Sequence, residues 1–155
     1  MSIFLIATCL VAAFLALGLR LNKNYVPGPY DSNLLIAASA TKTANFNTAS
    51  LDLGAGYAPG GCGAPVAAVV DVTAGDRANQ DETYTFTLEE ASDNTNFTAC
   101  GPGVAVTVAT TVFTTGAISV PGFVSKRYVR VALVVAGTTP SITYSTHLVP
   151  IGRPG

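Results

Sequence analysis

The chain has 155 residues, enough for one domain with a core of its own plus an extension. Apolar residues make up 49% of it and charged residues only 11%, well under the usual quarter. With a net charge of −1 and few, unclustered basic residues, the sequence lacks the electrostatic footprint of a nucleic-acid binder. Threonine is the commonest polar residue, with 19 copies, and Val, Ala and Gly supply much of the remainder. Thr and Val fit a pleated, half-buried surface, so composition leans towards an all-β chain.

The small net charge hides an asymmetry. Residues 1–93 carry four Lys/Arg against nine Asp/Glu, whereas residues 94–155 carry Lys126, Arg127, Arg130 and Arg153 and no acid. One reading is drift in a lightly charged sequence. The other is a pair of opposite-sign patches that match neighbouring subunits in an assembly.

In chain order, the first element is the run SIFLIATCLVAAFLALGL, Ser2 to Leu19, which holds no charged side chain. As a helix, Ile3–Leu19 would span about 26 Å, slightly short of a hydrocarbon core of roughly 30 Å. Apolar on every side, it must be buried in protein or lipid. A secretory signal wants a basic n-region, which is absent here. The sequence around Cys9 fits a lipoprotein box poorly, because Thr8 precedes the cysteine. Arg20 and Lys23 follow the run, as they would follow a membrane span. The leading expectation is a retained arm buried in protein, with Phe4, Leu10, Phe14 and Leu17 as interface candidates; a signal or membrane anchor over residues 1–19 is the alternative. Pro27, Gly28 and Pro29 then enforce an extended linker. These features divide the chain into an apolar arm (1–24), a Pro/Gly linker (25–33), a β domain (34–150) and a short tail (151–155).

Within the domain, short strands are expected at Leu34–Ile36 and Ser50–Leu53, and a longer one at Val66–Val72. TYTFTL gives the cleanest alternation, with Tyr84, Phe86 and Leu88 on one face and Thr83, Thr85 and Thr87 on the other. SDNTN (Ser92–Asn96) is an Asx-rich turn. Val104, Val106 and Val108 mark a further strand, and a strand through Ile118 and Val120 is expected to end in a turn at Pro121-Gly122. RYVRVALVV is apolar on both faces and reads as a central strand, with Val129, Val131, Leu133 and Val135 together; Tyr128 and Arg130, on the other side, are further interface candidates, Arg130 on a face that meets solvent or a partner. Gly137–Pro140 turns the chain into SITYSTHLV, with Ile142, Tyr144 and Leu148 inward. Seven or eight strands, Gly/Pro turns and no amphipathic helix give an antiparallel β-sandwich or jelly roll behind an apolar, helix-prone N-terminal arm.

Catalytic chemistry is hard to place. His147 is the only histidine and falls on the Thr143/Ser145 face, where an orienting carboxylate for a nucleophile triad is not evident. Glu89 and Glu90 are adjacent on a strand and so point to opposite faces, which rules them out as a facing acid–base pair. The three cysteines show no metal-ligand spacing. The reading is therefore of a non-enzyme with no catalytic, cofactor or metal residues. Cys62 and Cys100 both sit in Gly/Pro loops; they are either free thiols or a disulfide worth about 3–4 kcal/mol in the chain-entropy picture.

The segments YDSNLLIAASATKTA, SLDLGAG, TYTFTLEEASDNTNFTAC and KRYVRVALVVAGTTPSITYSTHLV, in that order, resemble the cement (capsid-decoration) proteins of tailed bacteriophages. The carrying features are the EEASDNTNF turn, the basic-Tyr-x-Arg strand, the Gly-Thr-Thr turn and the Thr/Ser-rich last strand, over roughly residues 30–150. The resemblance implies a jelly-roll virion protein on the outer surface of the capsid, bridging major capsid protein subunits. It brings no catalytic residues with it. The apolar arm, which cannot stay exposed in water, separately implies self-association, as a dimer or trimer, or coupled docking. Residues 1–24 fall outside the family pattern, which begins near Tyr30, so their expected role in an inter-subunit contact is a physical argument only. Membrane partnership belongs to the alternative, an exported or anchored bacterial surface β-sandwich of adhesin-like or carbohydrate-binding type.

Overall fold

In the computed structural model the described residues are 32–54, 64–76, 78–100, 105–109 and 115–151. The arm, the body of the linker, and with them Phe4, Leu10, Phe14, Leu17 and Cys62, lie outside these residues. After a 3₁₀ turn at Ser32–Leu34 come ten strands: β1 Leu35–Lys42, β2 Phe46–Asn47, β3 Leu51–Asp52, β4 Ala64–Gly75, β5 Thr83–Ala91, β6 Thr98–Ala99, β7 Val106–Ala109, β8 Gly116–Val124, β9 Tyr128–Ala136 and β10 Ile142–Pro150. All pairings are antiparallel, and the all-β expectation holds.

The strands form two sheets. Sheet A has the order β1-β10-β4-β8, and sheet B the order β2-β9-β5-β6, with β3 also on β9 and β7 also on β5. The pairing is nested. β1 pairs with β10, β2 and β3 with β9, β4 with β8, and β5 with β6 and β7. The chain thus behaves as one long antiparallel ribbon folded across itself, closed by β10 on β4 and β9 on β5.

Period-two alternation decides what fills the space between the sheets. Val66, Ala68, Val70 and Val72 of β4 and Ile142, Tyr144 and Leu148 of β10 face Tyr84, Phe86 and Leu88 of β5 and Val129, Val131 and Leu133 of β9. Phe86 meets Tyr144 edge-to-face, with ring centroids 5.3 Å apart. Each of these large side chains contributes roughly 1.5–3 kcal/mol on burial. Tyr84 keeps its hydroxyl satisfied at the margin, donating to the Ser141 carbonyl at 2.9 Å and accepting from the Ser141 N–H at 3.1 Å.

The strand readings through Tyr84, Val129 and Ile142 are reproduced, and β9 is internal to its sheet. Two readings need correction. β1 runs to Lys42, well beyond Ile36. Pro121-Gly122 is not a turn: β8 continues through it to Val124, pairing Pro121 with Ala67 and Gly122 with Val66. The reason is position. β8 is a sheet edge, where proline's missing N–H is tolerated. Gly122 is buried where a Cβ would lie 3.0 Å from both Cys100 Cβ and Leu88 Cδ2, so the glycine serves packing.

Side chains repair the broken edge at β2 and β3. Thr48 donates its N–H to the Val131 carbonyl and accepts the Val131 N–H on Oγ1, each at 3.0 Å. Asn45 Oδ1 accepts the Val135 N–H at 2.9 Å.

Candidate functional site

Tyr128 and Arg130 both stand on the outer face of sheet B. Arg130 is not an open charge: its Nε donates to Glu89 Oε2 at 2.7 Å, across the β5–β9 register, and its guanidinium lies 4.0 Å from the centre of the Phe97 ring. Both partners of the ion pair are largely shielded, so Arg130 ties two strands together and pins the loop after β5. Tyr128 is half-buried, with the Arg127 guanidinium 5.1 Å from its ring centre.

That loop is built by the Asx turn read from the sequence. Asp93 accepts the N–H groups of Thr95 and Asn96 at 3.0 and 2.8 Å and the Asn96 side-chain amide at 2.6 Å. Backbone donation from Asn96 and Thr95, then the Asn96 amide, pulls its carboxyl down to about 2. Asn94 takes the left-handed conformation this turn requires, with φ 58°.

Two cations of the C-terminal part, Arg127 and Arg130, meet acids of the N-terminal part within the subunit. Arg127 grips Asp52 with Nε and Nη2, both at 2.7 Å, and this pairing, reinforced by the Gly54 N–H, lowers the Asp52 carboxyl to about 2. Lys126 Nζ donates to the Thr98 hydroxyl at 2.9 Å. Glu90, on the opposite strand face from Glu89 as alternation requires, is buried and accepts from Ser125 N–H (2.6 Å), Ser125 Oγ (2.9 Å) and Lys126 N–H (3.0 Å). It is an anchor for the β8–β9 turn. Cys100 is a free, buried cysteine whose thiol burial pushes up to about 12; a bridge to Cys62 involves a residue outside the described set.

A cavity of about 270 Å³ opens between β1 and β2, lined by Ile36, Ala37, Ala40, Phe46, Thr48 and Tyr144 among others. The Lys42 ammonium sits 3.5 Å above the Phe46 ring at its rim. Burial alone raises the Tyr144 phenol to about 12.

The other outer face is different in kind. On sheet A, register and alternation set Leu35, His147, Val69 and Ser119 in one row, Val149, Ala67 and Pro121 in the next, and Ile151, Pro65 and Phe123 beyond. Leu35 (39% exposed), Phe123 (43%) and Ile151 (46%) are three of the four exposed large hydrophobic residues among those described; the fourth, Val134 (51%), is on sheet B. At the far end Thr41 and Thr143 share a hydroxyl hydrogen bond of 2.7 Å. His147 is half-buried here, flanked by Leu35 and Val69. Sequence reasoning missed this surface because its members come from four separate strands and the segment just after β10.

No family model matches the chain, and no curated protein matches it. Among the described residues, no helix is long and apolar enough to cross a membrane, and no group of three or more His, Cys, Asp or Glu gathers as a metal site.

Proposed function

We propose that this protein is a non-enzymatic jelly-roll subunit of a virion, decorating and cementing a bacteriophage capsid by bridging major capsid protein subunits, with its uncharged N-terminal run buried in an inter-subunit contact. The observation that carries the reading is the nested pairing: β1-β10-β4-β8 opposite β2/β3-β9-β5-β6/β7 is the strand order expected of an eight-element jelly roll, with two elements each split in two. Viral capsid proteins are among the principal users of that architecture. The fold alone does not imply the function. The turn and strand order that resembles cement proteins, the scarcity of charge and the Ser2–Leu19 run add to it. An all-apolar run exposed on a soluble monomer would aggregate, so assembly or docking is the natural state of the chain.

A second reading, an exported or membrane-anchored surface β-sandwich, is favoured by one feature: Arg20 and Lys23 follow the run as they would follow a span. Fractionation of the native source with intact-mass measurement separates the two. Co-sedimentation with DNA-filled particles, at a mass that includes residues 1–24, is the expected result. Recovery in membranes, or a mass lacking the leader, would overturn the capsid reading. Deleting residues 1–24 should leave a folded domain that is released from particles more readily; a truncated chain retained as tightly as the full one would refute the arm.

A further inference from the structure

We propose that the apolar end of the outer face of sheet A receives the uncharged run Ser2–Leu19 of a second copy of this chain. The inference rests on the reading above that the run is an assembly arm, and adds the surface it occupies.

The first ground is chemical. The rows from Leu35 to Phe123 carry no Lys, Arg, Asp or Glu; Asp71 lies beyond them, towards the Thr end. Phe123, Ile151 and Leu35 project from a mainly apolar floor in which Ala67 and Val69 are already buried by their neighbours; half-buried His147 and exposed Ser119, both in the row of Leu35, are its polar members. An occupant of this surface is favoured if it brings apolar area and no unpaired charge, since a charge desolvated there would find no Lys, Arg, Asp or Glu to pair with. Ser2–Leu19 is the uncharged stretch of this chain with that character over its whole length.

The second ground is where the chain leads. The described part begins with the 3₁₀ turn Ser32–Leu34, and the next residue, Leu35, is a member of the first row. The segment before it is therefore delivered to the edge of this face. The length of residues 20–31 sets an upper limit of about 40 Å on the distance between Leu19 and Ser32, enough for a run on a neighbouring subunit.

The third ground decides between the chain's own run and a neighbour's. A segment apolar on every side is not satisfied by one sheet face, which covers only one side of it. Two copies related by a two-fold axis, with these faces apposed and the runs exchanged, cover both sides of each run and remove both exposed patches at once.

The test uses the full chain with Cys62→Ser and Phe123→Cys, prepared in light and heavy isotopic forms, mixed and mildly oxidised. A disulfide between Cys9 and the introduced thiol at position 123, joining one light and one heavy chain, is expected. Cross-links confined within single chains would assign the face to the chain's own run and overturn the exchange. Cross-linking that appears instead with Val134→Cys, on sheet B, would overturn the face. Independently, Phe123→Asp in the full chain should weaken self-association by about tenfold or more with the fold retained, while Val134→Asp leaves it intact. Equal effects of the two substitutions would contradict the assignment. Mixed-mass cross-links in a chain that does not co-sediment with particles would defeat the capsid reading and leave this surface standing. Particles that hold the chain through residues 1–24, with no such cross-link, would do the reverse.

Discussion

The outer faces of the two sheets solve opposite problems. On sheet B, every charged group described finds its partner inside the subunit: Arg130 on Glu89 and Phe97, Arg127 on Asp52, Lys126 on Thr98. Two of its threonines pair, Thr85 with Thr107 at 2.9 Å. On sheet A, the Thr41–Thr143 pair and the Thr73 hydroxyl on the Thr143 carbonyl occupy one end, Asp71, Ser145, His147 and Ser119 lie across the middle, and the end with Leu35, Phe123 and Ile151 is mainly apolar. On sheet B charge fastens the chain to itself, and the apolar end of sheet A is the surface we propose for association. Perturbing sheet B should therefore cost stability, and perturbing the outside of sheet A should cost association.

Glu90→Ala is the strongest way to break that contrast. It strips the acceptor from two backbone N–H groups and a hydroxyl under the β8–β9 turn, with an expected loss of about 3 kcal/mol in urea unfolding. A loss below about 0.5 kcal/mol, the usual range for an inert surface site, would show that the carboxylate is not the anchor. Arg130→Ala should cost about 1 kcal/mol, through the shielded ion pair and the ring contact together. It should also free the loop around Phe97, read as faster hydrogen exchange over residues 92–97.

Acid sharpens the comparison more gently. Asp52 and Asp93 each have a carboxyl lowered from 3.8 to about 2 in the folded protein. A depressed folded-state value means that the contribution is complete above the unfolded value and fades as pH falls through the folded one. Protection of β3, β9 and the 92–97 loop should thus decline between pH 4 and pH 2. The β4–β10 ladder, which depends on neither group, should hold over the same interval. Loss of both together would mean that the two sheets respond as one unit to acid. The Arg127–Asp52 pair is exposed on both sides, so added salt should blunt its share.

The backbone of this fold was legible where its rule is local. TYTFTL, RYVRVALVV and SITYSTHLV each show which side chains face the core, because a strand's period of two needs no knowledge of its neighbours. Pro121-Gly122 misled because its meaning is set at a distance. Only the edge position of β8 excuses the proline, and only Cys100 and Leu88 explain the glycine. The candidate site divides the same way. Arg130 stood out as a lone charge in an apolar strand, yet its neutraliser, Glu89, becomes visible only once β5 is laid beside β9. Leu35, Phe123 and Ile151 drew no attention, since they meet only after distant segments are set side by side in sheet A.

The most direct measurement of the central claim is a paired one on the full chain: thermal unfolding and sedimentation velocity for Phe123→Asp and Arg130→Ala. A clean crossing is expected, with Phe123→Asp dissociating the assembly and lowering the melting temperature only by the share that depends on protein concentration, and Arg130→Ala lowering it at every concentration with the assembly retained. If Arg130→Ala releases the subunits while Phe123→Asp leaves them associated, the outer face of sheet B is the interface and the account is wrong.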